Sequence, residues 1–184
     1  MIARGPFRFT VERYDAMIDA GILDENDRVE LIRGEIVPKM PIGDRHSACL
    51  MRLNEYLVQA IGKRAMFGIQ NPIVFADSEP EPDVSVVRRK DNYYADGKPR
   101  AADILLIIEV ADSSLEFDRE DKLPIYAEAG IPEYWIVNLI DDVIEVYRDP
   151  HRSTYATTSL VRRGESLAPQ GLPDVTIAVS DVLP

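Results

Sequence analysis

The spacing of apolar positions divides the chain into helical and extended stretches. Residues 9–23, FTVERYDAMIDAGIL, place Tyr14, Met17 and Ile18 on one helical face, with Thr10 set to cap and Gly21 to stop it. RVELIRGEIVPKM alternates on both sides of Arg33-Gly34 and predicts a hairpin with a tight turn. PIGDRHSACLMRLNEYLVQAIG carries a helical stripe of Leu50, Leu53, Leu57 and Ile61, with Asp44 as its cap and Gly62 as its stop. FGIQNPIVFAD and PDVSVVRR predict two strands, and the polar stretch DNYYADGKPRAAD a loop. DILLIIEVAD is the strongest strand signal, apolar on both faces from Ile104 to Ile108, as a central strand buried on both sides would be. REDKLPIYAEAG predicts a helix ending at Gly130, and PEYWIVNL with DVIEVYRDP a second hairpin about Asp141-Asp142. The tail is irregular, with room for a last strand or short helix.

This order of elements, without repeat or linker, predicts one α/β domain over residues 1–184, a mixed sheet with helices against its faces. No GxGxxG follows a strand and no GxxxxGK[ST] occurs, so phosphate-cradling nucleotide loops are excluded.

Composition narrows the picture further. The 184 residues are 46% hydrophobic and 29% charged, an ordinary globular balance. No apolar stretch approaches the roughly 18 residues that a membrane helix needs, and the N-terminus lacks the apolar core of a secretory signal, so the expected location is the cytoplasm. Cys49 is the only cysteine, which excludes an internal disulfide and a cysteine-rich zinc site. The net charge of −11 argues against strong nonspecific attraction to nucleic acid. A local basic cluster, Arg88, Arg89, Lys90, Lys98 and Arg100, stands ready to face phosphate; Arg162 and Arg163 form a smaller pair.

Two carboxylates stand out by context. Asp83 opens the strand VSVV behind EPEP, and Glu109 closes the run ILLII. A carboxylate beside a buried strand needs a cation, a metal or hydrogen-bond donors. If the two strands are neighbours, Asp83 and Glu109 converge, and such a pair suits a hard divalent cation such as Mg²⁺. Lys122 lies near the start of the following helix, where the dipole disfavours a cation, and Pro124 marks that first turn. Each has a plainer reading: Asp83 as a turn or cap, Glu109 paired with an arginine such as Arg119, Lys122 as a solvated lysine. His46 lies one turn before Leu50, and Gln70 lies between strand segments as a polar neighbour. Glu30 and Glu35 flank Gly34, where hairpin glutamates usually face water. Ser113 and Ser114 lack a GxSxG setting.

These segments resemble a known family. FTVERYDAMIDAGIL, DRVELIRGEIVPKMPIGDRH, the span Gln70–Val84 with EPEPDV, IEVADSS, DREDKLPIYAEAGIPEYWIV and IEVYRDP follow the order and spacing of the Uma-two family. That family is similar to the restriction-endonuclease fold of the PD-(D/E)XK superfamily. The resemblance implies a central mixed sheet flanked by helices, with a metal-dependent nuclease site. Asp83 matches the aspartate of the PD element and Glu109 the acidic residue of the next core strand. Ala111 stands where the superfamily usually has lysine, and the resemblance moves that role to Lys122. The family's hairpin glutamate falls at Glu35 and its helix-start histidine at His46, both expected to border the site.

The expected function is therefore a Mg²⁺- or Mn²⁺-dependent endonuclease acting on DNA, with a homodimer as the natural way to cut both strands. The competing reading is a non-catalytic binding or assembly module that keeps the fold. A hydrolase of small phosphate esters ranks last, for want of any substrate-binding motif.

Overall fold

A computed structural model describes residues 5–24 and 26–184. Helix α1 (Val11–Asp19) is capped by the Thr10 side chain, which accepts from the Arg13 amide. Strands β1 (Val29–Ile32) and β2 (Glu35–Pro38) form the expected hairpin. Arg33 and Gly34 both take positive φ, 49° and 74°, at its turn. A Cβ on Gly34 would lie 2.9 Å from the Phe9 carbonyl oxygen, so glycine is required there twice over. Helix α2 (Asp44–Ile61) is capped by Gly43 rather than Asp44, which becomes its first residue. There its charge still complements the dipole.

The core is a six-stranded sheet in the order β3 (Met66–Ile69), β4 (Val84–Val87), β5 (Ile104–Ala111), β6 (Glu133–Asn138), β7 (Val143–His151), β8 (Thr154–Arg162). Only β5 and β6 run parallel; every other neighbouring pair is antiparallel. A helical stretch spans the parallel crossover: α3 (Leu115–Phe117), a π-helical turn (Asp118–Lys122) and α4 (Leu123–Glu128). A short ladder of β9 (Ser166–Leu167) and β10 (Ile177–Ala178), followed by α5 (Val179–Val182), ends the chain.

Side chains alternate across β5 and feed two cores. Leu106, Ile108 and Val110 pack with Leu53 and Leu57 of α2, while Ile107 and Ala111 pack with Ile125 and Tyr126 of α4. Burying a large aliphatic side chain contributes about 1.5–3 kcal/mol, so these two layers fix the helices that reach the end of the sheet. Among the described residues no helix is long and apolar enough to cross a membrane.

Two expectations are corrected. The strand signal in FGIQNPIVFAD gives a strand only to Ile69: Gln70 has φ 51°, Asn71 caps the Ile69 amide, and Pro72 follows. The missed element is β8, a nine-residue partner of β7 whose side chains are mostly exposed on both faces. Without a buried face it has no alternation to read.

Candidate active site

Strand polarity brings the two carboxylates together. β4 runs antiparallel to β5 with Val84 opposite Ile108, so the start of β4 meets the end of β5. The Asp83 amide donates to Glu109 Oε2 at 3.2 Å, and the Val110 amide donates to Asp83 Oδ2 at 2.8 Å. Each carboxylate is thus held by the other strand's backbone. Asp83 Oδ1 lies 3.0 Å from His46 Nε2, in the first turn of α2, and accepts from Gln70 Nε2 at 3.2 Å. Glu109 Oε1 accepts from Lys122 Nζ at 2.9 Å and from Tyr126 Oη at 2.8 Å. Lys122 closes the π-turn and Pro124 follows at the start of α4, but the helical stretch begins at Leu115, so Lys122 stands inside it and not at its N-terminal end as expected.

His46, Gln70, Asp83, Glu109 and Lys122 line a cleft of about 510 Å³ at the end of the sheet, shared with Glu30, Asp118 and Ser114. Glu30 Oε1 stands 3.6 Å from Lys122 Nζ, and its Oε2 accepts from the Glu81 amide at 3.0 Å. Asp118 accepts from Ser114 Oγ at 2.6 Å. Glu30, Asp83, Glu109, Asp118 and Lys122 are all buried.

The electrostatics follow from four buried carboxylates around one lysine. Burial pushes Glu109 upward, and Asp118 and Asp83 add to that shift against the opposing pull of Lys122. Asp118 is pushed up to about 6, again chiefly by burial. Burial alone would depress the Lys122 ammonium; Glu109, Glu30 and Asp118 outweigh it and hold Lys122 above its ordinary value. Burial would likewise depress His46, and the hydrogen bond and charge of Asp83 raise it instead. The surrounding carboxylates thus favour the charged form of Lys122.

Three further expectations do not match this geometry. Glu35 is exposed, paired with Arg8 at 2.7 Å, and does not border the cleft; Glu30, on the same face of the hairpin but farther from the turn, does. Arg119 binds Glu145, not Glu109. The basic cluster lies at the far end of β4 and β5, where Val87 pairs with Ile104, and two of its members are neutralised: Lys90 by Asp103 at 2.9 Å, Lys98 by Asp15 and Glu79, each at 2.5 Å. Sequence reasoning missed Asp118 and Tyr126. Asp118 sits in the run DREDK, where any acid reads as solvated, and only the π-turn turns it inward.

Among the described residues no group of three or more His, Cys, Asp or Glu side chains is arranged to hold a metal ion. The donor chemistry nonetheless fits a hard divalent cation. Mg²⁺ keeps several waters and takes as few as one or two protein carboxylates, and Asp83 with Glu109 supplies that pair. The cleft also holds more buried carboxylates than Lys122 can balance, and a cation would offset the surplus.

Comparison with known proteins adds a family and a fold. A family profile described as "Uma2: Putative restriction endonuclease" matches residues 11–180. The fold is similar to the crystal structure of a protein from Anabaena variabilis ATCC 29413 described as a putative nuclease belonging to DUF820. Its TM-score is 0.73 and its identity 17%, over 90% of this chain and 94% of that one. At that identity the likeness shows the fold: a mixed six-stranded sheet with flanking helices, of the restriction-endonuclease-like type. No curated protein matches the chain. The family profile spans all six strands of the sheet and the whole cleft, and the chain belongs to the Uma2 family of putative restriction endonucleases.

Proposed function

We propose that this protein is a divalent-metal-dependent endonuclease that hydrolyses phosphodiester bonds of DNA. The observation that carries the reading is the convergence of Asp83, Glu109 and Lys122 in one cleft, in a chain of this family and fold. The proposal takes residues 1–184 as a single restriction-endonuclease-like domain acting in the cytoplasm, paired as a homodimer where both strands are cut.

Asp83 and Glu109 would hold Mg²⁺ or Mn²⁺, which when bound lowers the pKa of a water and offsets charge on a phosphodiester. His46 and Gln70 share Asp83 Oδ1 and fix the plane of that carboxylate. Tyr126 and Lys122 fix Glu109 in the same way. Lys122, hydrogen-bonded to Glu109 and facing the cleft, would in its charged form donate hydrogen bonds to a phosphate oxygen or an attacking water and stabilise negative charge as it develops. The test is plasmid nicking in Mg²⁺ or Mn²⁺ by wild type and by Lys122→Arg, which keeps the charge and displaces it. The reading expects nicking by wild type and a loss of about 10²–10³-fold in the variant. Equal rates would remove Lys122 from the chemistry.

One observation favours the second reading, a non-catalytic binding module. The main basic cluster stands at the end of the sheet away from the cleft, and Lys39 and Lys122, which line the cleft beside Arg28, are already paired with glutamates. In that case the wild-type protein cuts no DNA, with or without metal.

A further inference from the structure

Glu109 has a counterpart on its own sheet face. It pairs across strands with Ile136, and Ile136 pairs with Glu145. Residues in one such row project to the same side, and two strand spacings separate these carboxylates by about 10 Å. Both take a cation from the same helical turn. Lys122 donates to Glu109, and Arg119, three residues earlier, grips Glu145 in a fork: Nε to Oε2 at 3.0 Å and Nη2 to Oε1 at 2.5 Å.

Glu145 is only 1% exposed and lies outside the cleft. Asn138 Nδ2 at 2.8 Å and Tyr147 Oη at 2.6 Å complete its partners. Tyr134 Oη donates to the Asp118 carbonyl at 3.2 Å, so the same patch also holds the first residue of the turn. The backbone that these contacts hold is the π-turn Asp118–Lys122. Such turns are rare and need support from their surroundings. Glu120 and Asp121, at the middle of the turn, are exposed and supply none.

We infer that Arg119 and Glu145 are positioning residues: their ion pair anchors the π-turn to β7 and thereby sets where Lys122 and Asp118 stand in the cleft. What Lys122 does there rests on the proposed function; where it stands does not. The sheet provides its own control. Glu133, on the opposite face, is fully buried and accepts from Arg148 Nε and Trp135 Nε1, both at 2.8 Å. That pair ties β6 to β7 and touches no element of the cleft.

The test compares Glu145→Gln, Arg119→Lys and the control Glu133→Gln with wild type, all without metal, by backbone hydrogen exchange. The expected result is faster exchange in residues 115–128 for Glu145→Gln and Arg119→Lys, beyond any change elsewhere, and none confined there for Glu133→Gln. In Mn²⁺ titrations the first two lower affinity about tenfold, the usual scale for a group that orients a ligand, and Glu133→Gln leaves it unchanged. Unaltered exchange in residues 115–128 for both cleft-side variants, or an equal local effect of Glu133→Gln, overturns the inference. Should Glu145→Gln fail to fold, Arg119→Lys decides, because Arg119 is 43% exposed and keeps its charge. If wild type binds no Mn²⁺ while local exchange still responds, the anchor stands and the metal reading falls.

Discussion

Glu109 is the residue that joins the fold to its candidate chemistry. A carboxylate at 3% exposure survives only with partners, and Lys122, Tyr126 and the Asp83 amide provide them. Lys122→Met would leave Glu109 and Glu30 buried without their cation, a loss of about 3–5 kcal/mol. The double variant Lys122→Met/Glu109→Gln should recover part of that loss, since the two residues act as a pair. Denaturant melts of the four proteins check this, and strictly additive losses would contradict the pairing. Tyr126→Phe keeps the ring contacts with Phe75 and Tyr134 and removes one hydrogen bond, so it should cost about 1 kcal/mol in the same melts. Asp83 and Glu109 were legible in the sequence because each adjoins an apolar strand, where an acid is out of place. Glu30 was not, because the register sets both glutamates on one face of the hairpin, Glu30 opposite Val37 and Glu35 opposite Ile32. Position along that face separates them: Glu35 adjoins the turn and pairs with Arg8, while Glu30, farther from the turn, is buried beside Lys122.

At the scale of elements, the stretch Leu115–Glu128 brings Asp118 and the buried cation Lys122 to the cleft. Its helical character was legible from Arg119 onward; its start at Leu115 and its π-turn were not, because the extra residue answers to contacts made by β6 and β7 and not to local propensity. The central hairpin of β6 and β7 could be read because its inner positions are fully buried. β8 could not, for want of a buried face. The anchor of the π-turn has a pH signature. Burial alone would raise Glu145, but its hydrogen bonds from Arg119, Tyr147 and Asn138 hold it below its ordinary 4.5. A depressed carboxylate contributes stability that is present above its unfolded value and is lost as pH falls through the folded one. Glu145→Gln should therefore lower Tm most near neutral pH, and the gap to wild type should narrow below about 4.5. A gap that stayed constant from neutral into acid would contradict this account of the pair.

At the scale of the whole molecule, charge and site are arranged against each other. The protein carries 21 basic and 32 acidic residues. Its main basic cluster starts after Val87, opposite the first residue of β5, five residues or about 17 Å of strand from Glu109. Neutralising Arg88 and Arg89 together should therefore leave plasmid nicking within about twofold, and binding to DNA should show a shallow salt slope, fitting only two or three phosphate contacts. A large loss of nicking in Arg88→Ala/Arg89→Ala would mean that DNA reaches across that end of the sheet. The central claim is narrower: Asp83 and Glu109 together form a cation site that serves phosphodiester cleavage. Its most direct test is a calorimetric titration of Mn²⁺ into wild type and Asp83→Asn, each sample then incubated with plasmid DNA. The account predicts saturable binding and metal-dependent nicking by wild type, with both lost in the folded variant. No saturable binding by folded wild type, or equal binding by Asp83→Asn, would contradict it.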